Sequence, residues 1–529
     1  MLTLQHIAYT HPSRDLLFDD INLTVNNYQK VALVGNNGSG KSTLLRIIAG
    51  ELKPSAGSIQ TDTQPYYVPQ HFGQFNELTI AGALRIRDKL RALHEILNGA
   101  LNEANLNHLD DDWGIEERCS EALSHWGLAG LDLDSRMDSL SGGEKTKVFL
   151  AGIAIHRPGI VLLDEPSNHL DAEGRSLLYD YILSAREALI VVSHDRTLLN
   201  LLNEVCELSK GGIAVYGGNY DFYAAQKALE AAAFQQDLKS REKELRKAKE
   251  IEREAMERKQ KLDARGKKKQ EKSGLPTISM NTLRNNAEKS TSRMKDVHAE
   301  KIGSISDDVA RLRKELPDAD KMKIGFDDSV LHRGKILVTA KEIMFGYGDI
   351  PMWKEPLSFE IRSGQRIAIK GPNGSGKTTL LRIILGNTTP LSGKIERAEL
   401  RSIYIDQDYS LIDGRLTVYE QAQAFNTGGL QEHEVKSRLT HFLFTKANWN
   451  KPCSTLSGGE KMRLALCCLT ISKEAPDMII LDEPTNNLDI QNTEILTAAT
   501  NEYRGTLLVV SHDAVFLKEV GVLEDIRLE

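Results

Sequence analysis

No stretch of this chain is apolar enough to cross a bilayer as a helix. A spanning helix needs about 18 or more apolar residues in a row, and the 529-residue sequence holds no such run. The opening stretch, MLTLQHIAYTHPSRD, has no charged start followed by an apolar core, so no secretory signal is read there. Cysteine is scarce. The five copies, Cys119, Cys206, Cys453, Cys467 and Cys468, show neither zinc-ligand spacing nor the density of a disulfide scaffold. Buried thiols in a reducing, cytoplasmic setting are expected. Proline and glycine are both missing from residues 226–265, which leaves nothing there to break a helix.

The charge is unevenly spread. From Lys239 to Lys272 there are 15 Lys and Arg against 8 Asp and Glu, and from Ser273 to Leu316 there are 8 against 6. Those two stretches carry +7 and +2, so the remaining residues carry −16 to reach the net −7. A basic element in an acidic chain suggests a polyanionic partner reached by that element.

The sequence repeats itself. VALVGNNGSGKSTLLRIIAG (31–50) recurs as IAIKGPNGSGKTTLLRIILG (367–386), and LSGGEKTKVFLAG (140–152) as LSGGEKMRLALCC (456–468). IVLLDEPSNHLD (160–171) recurs as MIILDEPTNNLD (478–489), and IVVSHDRTLL (190–199) as LVVSHDAVFL (508–517). Four blocks in one order make a duplicated domain. The offset falls from 336 residues to 318, because Gln70 to Ser141 spans 71 residues and Gln407 to Ser457 only 50. The first copy therefore holds an insertion, expected as a small helical arm at about 85–115.

Between the copies, residues 226–265 are rich in Ala, Glu, Lys, Gln and Arg, all good helix formers. A helix of about 40 residues would run about 60 Å. Beyond a Gly-Leu-Pro turn, Ile302, Ile305, Val309, Leu312 and Leu316 recur at spacings of 3, 4, 3 and 4, a coiled-coil seam. The expected organisation is a domain over 1–225, a helical hairpin over 226–318 with its tip at about 266–286, and a second domain over 319–529. At the tip, Arg265, Lys267, Lys268, Lys269 and Lys272, with Arg284 on the returning arm, are candidates to neutralise phosphates of a polyanionic partner, which the resemblance described below makes RNA.

GNNGSGKS (35–42) and GPNGSGKT (371–378) both fit G-x-x-x-x-G-K-[ST], each after an apolar strand and before a helix. Such glycines let successive backbone N–H groups turn towards phosphate oxygens at a helix N-terminus. The candidate ATP-binding runs are Gly35, Asn36, Asn37, Gly38, Ser39, Gly40, Lys41, Ser42 and Thr43, and Gly371, Pro372, Asn373, Gly374, Ser375, Gly376, Lys377, Thr378 and Thr379. The two lysines would reach the outer phosphates, and Ser42 and Thr378 would offer hydroxyls to Mg²⁺. IVLLDE and MIILDE read as buried parallel strands. Asp164 and Asp482 are candidates to hold Mg²⁺. Glu165 and Glu483 follow them and, aimed differently by strand alternation, are candidates to polarise the attacking water. His194 and His512 end further apolar strands and could contact the γ-phosphate.

These motifs together resemble the ATP-binding cassette (ABC) ATPases. The resemblance covers nearly the whole chain outside 226–335. It implies an α/β fold with two P-loop ATPase domains, each with a mostly parallel core sheet, an antiparallel β part and a helical subdomain. It implies that two cassettes within one monomer pair head to tail, so that Ser457, Gly458 and Gly459 complete the site of Lys41, and Ser141, Gly142 and Gly143 that of Lys377. It further implies Mg²⁺-associated glutamines at Gln70 and Gln407, D-loop aspartates at Asp171 and Asp489, and an adenine-stacking aromatic at Tyr347. In the first copy Tyr9 and His11 compete for that last role.

Within the family, the tandem cassettes, the charged helical linker, the arm, YGGNYDFY (216–223), EPSNHLD (165–171) and EPTNNLD (483–489) resemble the ABC-F subfamily. Its D-loop region reads EPTNHLD, from which each copy here departs by one residue. The subfamily implies an ATP hydrolase that binds the ribosome near the exit site of transfer RNA. Its hairpin would face large-subunit rRNA, P-site tRNA and the peptidyl-transferase region, in translation or in antibiotic protection. Two other classes stand beside it: the ATPase subunit of a transporter with a separate membrane partner, and a DNA-associated ATPase.

Overall fold

The computed structural model describes residues 1–11, 16–270, 299–313, 332–347, 350–473, 475–486 and 488–528. Lys272, Arg284, Leu316 and Asn487, and with them the Gly-Leu-Pro turn, lie outside the described residues. So do the side chains of Lys267, Lys268, Lys269 and Tyr347. The chain divides into two units, Met1–Tyr223 with Met322–Glu529, and Ala224–Lys321.

In the first unit each sequence repeat builds the same α/β layers. The first copy has the strand order Tyr66–Val68, Ile160–Asp164, Ala188–Val192, Lys30–Val34, Glu204–Ser209 and Gly212–Gly217. The first five run parallel and the last is antiparallel to its neighbour. The second copy repeats the parallel five as Ser402–Ile405, Met478–Asp482, Thr506–Val510, Arg366–Lys370 and Glu524–Arg527. Ile160–Asp164, Ala188–Val192, Met478–Asp482 and Thr506–Val510 are buried along their whole length. That burial explains their unbroken apolar spelling, because helices cover both faces of a parallel sheet. Each copy adds a three-stranded antiparallel sheet, in the order Leu16–Val25, Leu2–Thr10, Ala56–Thr61 and its counterpart Leu357–Arg362, Ile336–Met344, Ser392–Arg397.

The parallel strands stop at one edge, and the loops beyond it carry the motifs. An α/β sheet binds its ligand at that edge. The length difference between the copies lies between two matching bridges, Thr79 to Arg136 and Thr417 to Pro452. Helices Ile80–Ala83, Arg87–Leu97, Glu103–Leu109 and Ile115–His125 occupy the first interval, and Val418–Ala424 and Glu432–His441 the second.

The main element of Ala224–Lys321 belongs to the helix Tyr220–Gln270, of 51 residues, about 77 Å at 1.5 Å per residue, whose first four residues lie in the other unit. It starts six residues before the expected 226 and passes through Gly266. A second helix occupies 299–313. Leu238 buries against Ile305 and Val309, flanked by Leu245, Ala248 and Leu312, and Arg313 pairs with Glu242 at 2.6 Å. Among the described residues no helix is long and apolar enough to cross a membrane.

Candidate active sites

Both P-loops are backbone cradles held open by glycine. Gly38 and Gly374 take φ of 80° and 81° and face open space, a left-handed geometry that favours glycine. Gly40 and Gly376 are left-handed as well. A Cβ on Gly40 would meet Leu17 and Phe18 at 2.8 Å, and one on Gly376 would meet Met352 Sδ at 2.3 Å. Helices Lys41–Ile48 and Lys377–Leu385 begin at the cradles without a side-chain cap, so their first N–H groups are left for a ligand. Lys41 Nζ bends onto Gly35 O at 2.7 Å and Asn36 O at 3.2 Å; Lys377 Nζ does the same to Gly371 O at 2.8 Å and Pro372 O at 3.0 Å. Ser39 Oγ and Ser375 Oγ are buried without hydrogen-bond partners. Spare donors around a glycine cradle fit a phosphate group.

At the sheet edge the carboxylates meet the P-loops. Ser42 Oγ donates to Asp164 Oδ1 at 3.2 Å, and Thr378 Oγ1 to Asp482 Oδ2 at 3.1 Å. A second hydroxyl donates to each aspartate, Tyr67 to Asp164 at 3.1 Å and Tyr404 to Asp482 at 2.8 Å. The reading of the sequence missed these tyrosines, although both stand three residues before the repeated glutamine, in YYVPQ and IYIDQ. Gln70 is half-buried and Gln407 exposed; among the described residues the hydroxyls on the two aspartates come from Ser42, Tyr67, Thr378 and Tyr404.

Glu165 and Glu483 are not aimed by strand alternation. Each strand ends at the preceding aspartate, and the glutamates turn left-handed, with φ of 52° and 49°. Their N–H groups donate to Val192 O and Val510 O, both at 2.8 Å. Holding non-glycine residues in that region costs about 1–3 kcal/mol. His194 Nε2 stands 3.1 Å from Glu165 Oε1 without hydrogen-bond alignment, and Oε2 accepts from the His194 N–H at 3.2 Å. Neither Glu483 oxygen accepts a side-chain hydrogen bond, although His512 Nε2 lies 3.4 Å away. His512 Nε2 also lies 3.3 Å from Lys377 Nζ.

Burial sets the charge states. It pushes Glu165 and Glu483 up to about 7, and Asp164 up to about 6. It pushes His194 down to about 3, reinforced by Lys41, and His512 down to about 4, reinforced by Lys377 and Arg175. The imidazoles are therefore neutral near pH 7. A glutamate raised from an ordinary 4.5 favours the folded state when protonated. Its contribution is full below about pH 4.5 and is lost as pH rises through about 7. Without nucleotide, Glu165→Gln should therefore raise stability at pH 8 by up to about 3 kcal/mol and change little at pH 4.5. Denaturant unfolding at the two pH values measures this.

The two copies reach into each other. Asn37 N–H donates to Asp489 Oδ2 at 3.3 Å, and Asn373 Nδ2 donates to His169 O at 3.0 Å. The Asn373 N–H also helps to hold the Asp171 carboxylate below its ordinary range. Ser141 and Ser457 cap helices Gly142–His156 and Gly458–Ile471 through capping boxes with Glu144 and Glu460. The start of the first of these helices touches the same junction. A Cβ on Gly142 would meet the His169 ring at 3.3 Å, and one on Gly143 would meet His169 O at 2.7 Å with Asn373 Nδ2 at 3.6 Å. On the other side, Asn492 crowds Gly459 and donates to Asp489, the acceptor of Asn37. Of the first-copy aromatics, Tyr9 packs on Phe18 and His11 is exposed.

The family model described as ABC transporter matches residues 18–168 and 355–486. The chain belongs to the ATP-binding cassette family, and within it to the ABC-F type. The "Putative ATP-binding protein YdiF" of Bacillus subtilis is 31% identical, over 96% of this chain and 77% of that one. "ATP-binding protein Uup" of Haemophilus influenzae is 30% identical, over 95% and 75%. "ABC transporter F family member 2" of Arabidopsis thaliana is 28% identical, over 98% and 75%. Among solved structures, the archaeal ribosome recycling factor aABCE1, in complex with the ribosomal stalk protein aP1, shares the fold. It has a TM-score of 0.61 and 21% identity, and the match covers 97% of this chain and 86% of that one. The two cassettes make this ABC-F protein an ATP hydrolase.

Proposed function

We propose that this ABC-F protein is an ATP-driven ribosome-binding factor whose cassettes pair around two nucleotides and whose basic hairpin enters the tRNA exit and peptidyl-transferase region. The observation that carries this reading is reciprocal contact: each D-loop touches the P-loop of the other cassette, on either side of a segment carrying excess positive charge. We assign 1–225 and 319–529 to the cassettes and 226–318 to the hairpin, with large-subunit rRNA and P-site tRNA as its partners. The name of aABCE1 as a ribosome recycling factor supports a ribosomal setting. Either translation or antibiotic protection fits this reading.

The residues divide the work. The P-loop amides and Lys41 and Lys377 bind the phosphates. Ser42, Gln70 and Asp164, with Thr378, Gln407 and Asp482, would hold Mg²⁺, which when bound supplies charge neutralisation on the phosphates. Tyr67 and Tyr404 orient the aspartates that do so. Glu165 and Glu483, once anionic, take the proton of the attacking water. His194 and His512, neutral and beside those glutamates, orient them and face the γ-phosphate. Ser457, Gly458 and Gly459 close the site of Lys41, and Ser141, Gly142 and Gly143 that of Lys377. Spent nucleotide then lets the pair separate, and the difference in affinity between the two states drives release.

At the tip, Arg265 and Lys267, Lys268, Lys269 and Lys272 bind backbone phosphates, with Arg284 on the return. Replacing Lys267, Lys268 and Lys269 with Ala should weaken ribosome binding and flatten its dependence on log salt by about 2, because about 0.7 counterion is released per single-strand phosphate contact. Free-protein ATPase should not change. Co-sedimentation across a salt series reads the slope. An unchanged slope removes the hairpin from the interface.

A further inference from the structure

The cassettes are also tied outside the nucleotide sites, by ion pairs that the repeat does not mirror. Arg196 of the first cassette, largely buried, sends Nη1 to Glu519 Oε1 at 2.7 Å and Nη2 to Glu494 Oε1 at 3.4 Å, both in the second cassette. Across the repeat, 318 residues on, Arg196 becomes Ala514, while Glu494 and Glu519 match Ser176 and Leu201. The duplicated chain therefore cannot make the mirror contact.

Arg196 stands two residues after His194 and opens the short helix Arg196–Leu199, which Asp195 caps through the Thr197 and Leu198 amides. The next residue, Asn200, makes a reciprocal pair with the first turn of the connecting helix. Its Nδ2 donates to Asp221 Oδ1, and Asp221 N–H donates to its Oδ1, both at 2.9 Å. On the far side Glu519 is held too, since its carbonyl accepts from Asn501 Nδ2. A short polar chain thus runs from the second cassette through Glu519, Arg196 and Asn200 to Asp221. It is built only where a connecting helix follows the cassette.

We propose that Arg196 is a positioning residue that links cassette pairing to the first turn of the connecting helix, through Asn200 and Asp221. This rests on the reading that nucleotide pairs the cassettes. The Arg196 ion pairs are a contact between cassettes, so they are strongest when the cassettes are paired. The helix that carries Arg196 then holds Asn200 against Asp221. Loosening the pair releases that hold.

The test uses the full chain carrying Glu165→Gln and Glu483→Gln, with hydrogen exchange followed in the D-loops (165–171 and 483–489) and in the turn 220–223, with and without ATP. ATP should slow exchange at both places, by about fivefold or more for a coupling of ordinary size. Adding Arg196→Ala should keep the D-loop slowing and abolish that at 220–223. Arg196→Glu with Glu519→Arg should restore it, and Asn200→Ala should mimic the loss. Persistence of the 220–223 response in Arg196→Ala overturns the proposal. So does simultaneous loss of the D-loop response, which would make Arg196 a prop for pairing alone. If ATP slows neither place before Arg196 is altered, the pairing reading itself fails.

Discussion

Replacing Glu165 and Glu483 together with Gln is expected to lower steady-state ATP turnover by about 10²–10⁴-fold while ATP still binds. Glu165 is buried and Glu483 largely so; both turn left-handed out of their strands and leave buried oxygens without hydrogen-bond partners. A structural carboxylate would be satisfied; one kept unsatisfied at a functional edge is available to a water proton. Gln keeps the size and the acceptor for the His194 N–H but cannot take the proton. Each single variant should keep measurable turnover, because the other glutamate remains. Phosphate release and binding of a fluorescent ATP analogue measure the two halves of this prediction. Turnover within twofold of the unaltered chain in the double variant would exclude these residues as bases.

The second large effect acts across the cassettes. Gly143→Ala places a methyl 2.7 Å from His169 O, the carbonyl that accepts from Asn373 in the other P-loop. The conflict is with backbone, so the junction must shift. A displacement of about 1 Å costs on the order of 10²-fold in rate. The damage should fall on the site of Lys377 and spare that of Lys41, although Gly143 lies in the first cassette. Glu165→Gln silences one site and Glu483→Gln the other. Gly143→Ala should therefore strike hard in the Glu165→Gln chain and weakly in the Glu483→Gln chain. Equal loss in both would mean that the start of helix Gly142–His156 does not serve one site in trans.

Much of this architecture was legible in the repeat. The P-loop glycines, the all-apolar strands and the strand-to-helix order fix the sheet edge where Lys41, Ser42, Asp164, Glu165 and His194 gather, and the second copy repeats the set. What sequence periodicity could not give was local backbone. Glu165 and Glu483 owe their direction to a left-handed turn rather than to strand alternation. The connecting helix starts at Tyr220 and runs past Gly266. Its start is capped twice, by Asn219, which accepts from the Phe222 N–H, and by Asn200, which accepts from the Asp221 N–H, and one glycine costs a long helix only about 1 kcal/mol. Arg196 carried no signal because its importance lies in what the second copy lacks.

ATP-dependent ribosome binding is read out most simply in the slow-hydrolysis chain. The Glu165→Gln, Glu483→Gln protein should be sedimented through a sucrose cushion with purified 70S ribosomes, in ATP and in ADP. Near-stoichiometric recovery with ribosomes is expected in ATP, little in ADP, and loss in ATP when Lys41 and Lys377 are also changed to Ala. Equal recovery in ATP and ADP, or none in either, would contradict ATP-dependent ribosome binding.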